Sequence, residues 1–168
     1  GQDAPDPLGD LTEVQGEFII ADLVVVEKRL EKLEERSRKP NFDDDDKREQ
    51  ELLGEISEHL ELEKPVSSFP LDEPQRKTIS GFGFLSLKPY LVVVNSGEGS
   101  GGVGEDEISS VTGGEALSCN GLNELEILQL PPEDQGVFFE EYGIESLSRE
   151  PIIASAYRTA GRISFFTA

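Results

Sequence analysis

The chain has 168 residues, of which 36% are hydrophobic, and this is long enough for a domain with a buried core. Its 35 Asp and Glu against 15 Lys and Arg give a net charge of −20, which argues against direct binding to nucleic acid or to an anionic membrane, because phosphate contacts need basic side chains. The single cysteine, Cys119, excludes an internal disulfide and paired-cysteine metal motifs, and without a signal pattern or a membrane-length apolar run we expect a cytoplasmic protein.

The first half predicts two amphipathic helices that pack antiparallel as a coiled-coil-like hairpin. The first is expected from Asp10, as N-cap, to Lys39, and its apolar residues recur at steps of four and three: Ile19, Leu23, Val26, Leu30 and Leu33. Pro40 and Asn41 end this helix. The second is expected over 46–62, with an apolar side made of Leu53, Ile56 and Leu60.

Two polar features of this half have ordinary structural explanations. The acidic run from Asp43 to Lys47 predicts a solvated turn with an N-cap nearby, because four adjacent carboxylates point in different directions and do not match a calcium loop. His59, the only histidine, lies among glutamates and is expected at the surface. With one histidine and one cysteine in separate regions, the sequence supports no nucleophile and base arrangement.

The second half predicts part of an α/β sheet. After a connecting segment over 65–74 and a short helix ending near Ser80, Tyr90–Val94 is an unbroken apolar run, typical of a strand buried on both faces of a parallel sheet. A second strand is expected over 115–119, followed by helices over 122–130, 133–142 and 151–160 and a final strand over 162–167. Ligands of open α/β sheets bind beyond the carboxyl ends of the strands, so the polar residues after Val94 are candidate ligand contacts.

A glycine-rich stretch over 99–104 satisfies the dinucleotide-binding pattern G-x-G-x-x-G. The next residues, however, are Glu105, Asp106 and Glu107, whose carboxylates would repel a pyrophosphate, and no helix is expected to begin there. In a phosphate loop of the G-x-x-x-x-G-K pattern, Glu105 would replace the required lysine. We therefore expect a flexible surface loop at 99–104.

Several short segments, taken in order, resemble the YchF/Obg-like ATPase family, a branch of the P-loop GTPase superclass. They are Asp6-Pro7, Asp10-Leu11, Ala21-Asp22-Leu23, Val26 to Leu33, Lys64-Pro65, Leu85 to Pro89, Asn95 to Glu98, Glu124 to Ile127, and Ala156 to Thr167. The resemblance implies an α/β fold, namely a partial P-loop NTPase-type sheet domain with the antiparallel α-helical hairpin inserted into it. It divides the chain into a linker (1–9), the hairpin insert (10–64) and the C-terminal half of the nucleotide-binding domain (65–168).

In this family an Asn-x-x-Glu motif replaces the Asn-Lys-x-Asp of GTPases, and members generally prefer ATP. The resemblance therefore implies that seven residues contact the nucleotide: Asn95, Ser96, Gly97, Glu98, Ser118, Cys119 and Asn120. The last three stand where the family has a Ser-Ala-Lys-like loop, in which backbone N–H groups do much of the reading. The family's phosphate loop and magnesium-holding residues lie upstream of the match to Asp6, and its TGS domain begins after the match to Thr167, so the chain resembles the middle of a family member.

The resemblance implies a parent that is a ribosome-associated, ATP-binding and ATP-hydrolysing regulatory NTPase, which uses Mg-ATP and contacts the ribosome or ribosomal proteins. This chain would supply adenine recognition and the helical insert. Because phosphoryl transfer depends on phosphate and metal contacts, the chain alone is not expected to hydrolyse ATP, and its affinity should be weaker than roughly millimolar. Two alternatives are a non-enzymatic interaction module that acts through the hairpin, and a non-functional truncated product.

Overall fold

A computed structural model describes residues 5–97, 104–144 and 146–162 of the chain. The fold is α/β, with mostly helices and a small parallel sheet. Two compact units are formed, one by residues 9–88 and the other by the described residues before and after that range. The units divide at residue 88, whereas the predicted end of the hairpin insert is residue 64, and the assignment of the predicted ranges to functional domains stays a prediction.

Helix α1 spans Pro7–Ser37 and helix α2 spans Asp44–Glu61. The predicted N-cap at Asp10 is wrong, because the fixed φ of Pro7 suits the first helical position and Asp10 then lies inside the first turn, near the positive helix end. The predicted acidic turn with an N-cap is confirmed at α2. Asp43 Oδ1 accepts from Asp46 N at 2.9 Å, and Asp46 Oδ2 accepts from Asp43 N at 3.2 Å, which makes a capping box.

The predicted apolar faces of α1 and α2 form one hydrophobic core. Its buried members from these helices are Ile19, Val26, Leu33, Leu52, Leu53, Ile56 and Leu60, with Leu23 and Leu30 partly buried against them. The 3₁₀ helix Val66–Ser68, helix α3 (Glu73–Ile79) and the following segment add Val66, Ile79 and Phe84. Two ion pairs join α1 to α2, namely Arg29 with Glu49 at 2.7 Å and Arg36 with Asp46 at 2.9 Å. Residues 9–88 therefore have a core of their own.

A buried carboxylate links α1 to the segment that follows α3. Asp22 is 2% exposed, and its Oδ1 accepts from Leu85 N at 2.7 Å. Its Oδ2 accepts from Ser86 N at 2.8 Å and from Ser86 Oγ at 2.6 Å, while Ser86 Oγ accepts from Val66 N at 2.9 Å. Because each of these donors has a partner, the buried side chain of Asp22 is fully hydrogen-bonded.

His59, expected at the surface, is half-buried instead. Its Nε2 lies 2.8 Å from Ser68 Oγ and 3.2 Å from Pro65 O, and its ring contacts Phe69 edge-on at 5.3 Å. The late turns of α2 therefore pack on the segment that follows, which the pattern of glutamates around His59 did not indicate.

The second unit contains the sheet. Strands β1 (Leu91–Asn95) and β2 (Glu115–Cys119) are parallel, with Leu91 opposite Glu115. Helix α4 (Glu105–Thr112) lies between them in the chain. Helices α5 (Gly121–Gln129), α6 (Pro132–Glu141) and α7 (Arg149–Thr159) follow β2, close to the predicted ranges. The predicted strand at 162–167 lies outside the described residues, apart from Arg162.

The prediction that no helix begins at Glu105 is wrong. The first turn of α4 carries Glu105, Asp106 and Glu107, whose negative charges are favourable at the positive N-terminal end of a helix. Gly113, with φ of 64°, ends α4 in the left-handed conformation that glycine adopts readily. The carboxylates that argue against a phosphate site thus favour the start of a helix. Of the predicted loop at 99–104, only Gly104 is described, as the N-cap of α4.

The predicted burial of β1 on both faces is also wrong. Val93 is 40% exposed, and no residue of β1 is fully buried. Among the described residues β1 pairs only with β2, so its faces lack the cover that a larger parallel sheet receives. The apolar run predicts the strand correctly, but the burial of the strand's two faces depends on which other elements pack against it.

Candidate functional site

The carboxyl ends of β1 and β2 meet because the strands are parallel and in register, with Asn95 opposite Cys119. Asn95 Oδ1 accepts from Gly121 N at 3.0 Å, and Cys119 Sγ lies 3.8 Å from the same oxygen. Ser96 N donates to Cys119 O at 2.9 Å. Two sequence segments predicted to contact one ligand are therefore joined directly by hydrogen bonds.

Gly121 allows this close approach. A Cβ built on Gly121 would lie 3.2 Å from Asn95 Oδ1, tighter than an ordinary contact. The glycine thus brings the turn after β2 within hydrogen-bonding distance of the Asn95 side chain. Asn120 begins α5 as its N-cap, and its side-chain oxygen accepts from Asn123 N at 3.2 Å.

A cavity of about 440 Å³ opens at this edge, within the range of small-ligand sites. Four of the predicted site residues line it: Ser96, Ser118, Cys119 and Asn120. Its apolar lining comes from Leu117, Ile144, Pro151 and Ile152. A flat apolar ring with polar edges is the kind of ligand that such a lining suits.

The other three predicted site residues have different positions. Asn95 does not line the cavity; it contacts the turn that does, through Gly121. Gly97 is exposed after the end of β1. Glu98 lies outside the described residues, so its predicted contact with a base stays a prediction.

Sequence reasoning missed two carboxylates of the cavity lining. Glu105, at the start of α4, accepts at Oε1 from Ser118 N at 2.6 Å. Glu124, in α5, accepts at Oε2 from Ser148 N at 3.0 Å and from Ser148 Oγ at 2.9 Å. The sequence signal for Glu124 is its place in a family-like segment, whereas the charge of Glu105 indicates only that a phosphate would be repelled there. An ionised carboxylate is an acceptor only, so the surroundings of Glu105 and Glu124 favour ligand groups that donate hydrogen bonds.

The described ranges lack two further features. No group of three or more His, Cys, Asp or Glu side chains has the geometry to hold a metal ion. In the same part of the chain, every helix is too short or too polar to cross a lipid bilayer.

The chain is similar to ribosome-binding ATPases called YchF. It is 31% identical over 178 residues to that of Bacillus subtilis, a match covering 97% of this chain and 46% of the relative. It is 29% identical over 167 residues to that of Buchnera aphidicola subsp. Schizaphis graminum, covering 96% and 45%. No protein-family model matches the chain.

A solved structure agrees on the fold. The YchF GTPase of Schizosaccharomyces pombe superposes with a TM-score of 0.77 at 20% identity, over 95% of this chain and 45% of that one. The chain thus spans about half the length of the curated relatives that it matches. The resemblance to the YchF family that the sequence motifs indicated is confirmed over nearly the whole chain.

Proposed function

We propose that this chain supplies the adenine-recognition region and the helical insert of an ATP-binding, ATP-hydrolysing, ribosome-associated regulatory NTPase. The observation that carries the proposal is the cavity at the carboxyl ends of β1 and β2, which Ser96, Ser118 and Asn120 all line. Its position is the one where open α/β sheets bind ligands. The names of the relatives, ribosome-binding ATPases, support the wider activity.

In this proposal β1 and β2 belong to a P-loop NTPase-type sheet, and the adenine ring lies against the apolar lining. Asn95 is a positioning residue, because its side chain holds Gly121 and so fixes the turn that lines the cavity. Glu98 contacts the base, as the family motif implies. Mg-ATP, when bound to the whole protein, supplies the phosphoryl group that is transferred to water, and this chain orients its base.

Helices α1 and α2 are proposed to be the antiparallel hairpin insert. Their shared core and the ion pairs of Arg29 with Glu49 and Arg36 with Asp46 support this arrangement. Because the whole chain has a net charge of −20, the insert is expected to contact ribosomal proteins rather than ribosomal RNA. The proposed location is the cytoplasm.

The test is a titration of the ¹⁵N-labelled chain with adenosine, followed by NMR. We expect the amides of Ser96 and of residues 118–121 to shift, with a dissociation constant of roughly 1 mM or weaker, because phosphate contacts contribute nothing. Asn95→Ala should weaken binding by about fivefold, the effect of one lost neutral hydrogen bond. The matched control is Asn41→Ala, at an exposed position in the turn before α2.

The results that would contradict the proposal are equally specific. Amide shifts confined to residues outside the cavity lining, or equal weakening by Asn95→Ala and Asn41→Ala, would exclude the cavity as the adenine site. A poorly dispersed spectrum without ligand would favour the non-functional truncated product. Measurable ATP hydrolysis by the chain alone would contradict the division of roles proposed above.

A second candidate is an interaction module that acts through α1. The predicted hydrophobic repeat cannot be the docking face, because Val26, Leu33 and Ile56 are each 0% exposed in the core. The exposed apolar residues of α1 favour a different face, formed by Val14 (46% exposed), Ile20 (57%) and Val24 (40%). Ile20→Ser should preserve folding, and loss of co-sedimentation with purified ribosomes would support docking, whereas unchanged co-sedimentation would count against it.

A further inference from the structure

We propose that Glu105 determines the base specificity of the cavity, by accepting from the 6-amino group of an adenine ring and by withholding the Ser118 N–H from a 6-carbonyl ring. This inference rests on the proposed function, since it takes the cavity to hold a purine base. It concerns a residue of α4, the helix that sequence patterns did not predict. The relevant ligand chemistry is a purine with an amino group at position 6.

The first step is the hydrogen bond between strand and helix. In β2, Cys119 O accepts from Ser96 N, so Cys119 faces β1, and the neighbouring Ser118 N–H points away from β1. Glu105 Oε1 accepts from that N–H at 2.6 Å, and both residues line the cavity. A carbonyl oxygen entering the cavity thus finds this backbone donor already engaged.

The second step is the state of the other cavity donors. Ser148 N and Ser148 Oγ both donate to Glu124 Oε2, so a second carboxylate engages two more donors of the lining. Carboxylates accept hydrogen bonds and never donate them when ionised. Glu105 and Glu124 therefore add charged acceptors to the lining, which match an amino group and oppose a carbonyl oxygen, whereas the serine hydroxyls of the lining can donate or accept and do not discriminate.

Adenosine and inosine differ at position 6, where adenosine has an amino group and inosine a carbonyl, and at N1, which is a bare acceptor in adenosine and carries a hydrogen in inosine. A charged acceptor paired with a donor ranks among the stronger hydrogen bonds, but Glu105 and Ser118 are exposed and water weakens the discrimination. We therefore expect the chain to prefer adenosine over inosine by about tenfold. Selection of this kind needs no contact from Asn95.

A purely structural role for Glu105 predicts something different. As an acidic residue in the first turn of α4 and a partner for the edge of β2, Glu105 could stabilise the fold without touching a ligand. Substitution of Glu105 would then lower the stability of the fold and weaken the binding of adenosine and of inosine by the same factor. Only a specificity role changes the ratio of their affinities.

The experiment measures dissociation constants of adenosine and inosine by NMR titration for the unmodified chain and three variants. Glu105→Ala should free the Ser118 N–H, so inosine should bind more tightly and adenosine more weakly. The preference for adenosine over inosine should fall to about twofold or less. Glu105→Gln should reduce it partly, because its amide can donate to a carbonyl. The control is Glu107→Gln, also exposed in the first turn of α4 but not in the lining, and it should leave the preference unchanged.

Two readouts separate the possible failures. The Ser118 amide resonance of the free chain should move on Glu105→Ala, which reports the hydrogen bond without any ligand. The dispersion of the amide resonances of residues 105–112 reports whether α4 remains folded. If both nucleosides bind in the cavity and their ratio is the same in all four proteins, the specificity role is wrong while the proposed function stands. If neither nucleoside shifts the cavity amides, the proposed function itself fails.

Discussion

The two units of the molecule differ in what holds them together. Among the described residues, ten of the thirteen buried hydrophobic residues belong to the core of residues 9–88. The described part of 89–162 contributes only Ile108, Ala116 and Ile127. Its helices α5 to α7 leave large apolar side chains at least half exposed: Leu122, Leu125, Leu128, Val137 and Ile153. Hydrophobic burial therefore dominates the stability of residues 9–88, and polar contacts contribute a larger share of the stability of the second unit.

This difference bears on where a ligand can act. The candidate site lies in the unit with the smaller core, and its parts are joined by single hydrogen bonds, such as Asn95 to Gly121 and Glu105 to Ser118. A neutral bond of this kind contributes about 1 kcal/mol, and a bond to a charged acceptor such as Glu105 contributes somewhat more. Regions of low local stability are the ones that supply binding loops and moving elements.

The strongest way to break the comparison is to unfold the chain in urea with two probes. All three tyrosines, Tyr90, Tyr142 and Tyr157, lie after residue 88, so tyrosine fluorescence reports the second unit, while far-ultraviolet circular dichroism is dominated by the long helices α1 and α2. We expect the fluorescence transition at the lower urea concentration. Coincident transitions would show that the two units unfold as one.

Leu53→Ala sharpens this test. Leu53 is 0% exposed in the core of residues 9–88, and its truncation should destabilise that unit by about 3 kcal/mol through lost burial and the cavity left behind. The circular dichroism transition should move to lower urea while the fluorescence transition stays in place. The control is Leu62→Ala, a 66% exposed leucine at the end of α2, which should change neither transition appreciably.

A somewhat smaller effect is expected from the buried carboxylate. Asp22→Asn places an amide NH₂ among the donors Leu85 N, Ser86 N and Ser86 Oγ, so at least one of them loses its acceptor. Leaving such a buried donor unpaired costs about 2 kcal/mol, seen as a lower urea midpoint by circular dichroism. Glu27→Gln, an exposed substitution of the same type on α1, is the control. A midpoint unchanged by Asp22→Asn would mean that this network adds nothing to stability.

Sequence patterns predicted the first unit better than the second for a physical reason. The faces of α1 and α2 depend on a local helical period, so residues such as Val26 and Leu53 could be placed in a core from spacing alone. The contact of Asp22 with Leu85 spans 63 residues and has no local signature. The same holds for the cavity, because the hydrogen bond of Glu105 to Ser118 depends on how α4 crosses to β2.

The family motif predicted residues that lie at one edge of the cavity or next to it. Asn95 and Ser96 follow a strand, and the parallel pairing of β1 with β2 brings them to Cys119 and Gly121, as the rule for α/β sheets predicts. What the motif could not indicate is the sign of the charge around the cavity. That depends on Glu105 and Glu124, which enter the cavity from helices whose positions only the fold determines.

The smallest expected effect tests whether polar contacts stabilise the second unit. The hydroxyl of Ser155 and the guanidinium of Arg158, 2.6 Å from Glu115, hold the pKa of the Glu115 carboxyl below its ordinary value of 4.5. A carboxyl whose pKa is lower in the folded state stabilises the fold above its ordinary pKa, and this contribution is lost as the pH falls through the folded pKa. Glu115→Gln should therefore lower the urea midpoint of tyrosine fluorescence slightly at about pH 7 and leave it unchanged at about pH 2. Glu126→Gln, exposed on α5, should show no such pH-dependent difference. An equal effect of Glu115→Gln at both pH values would mean that packing, and not the charge, accounts for its contribution.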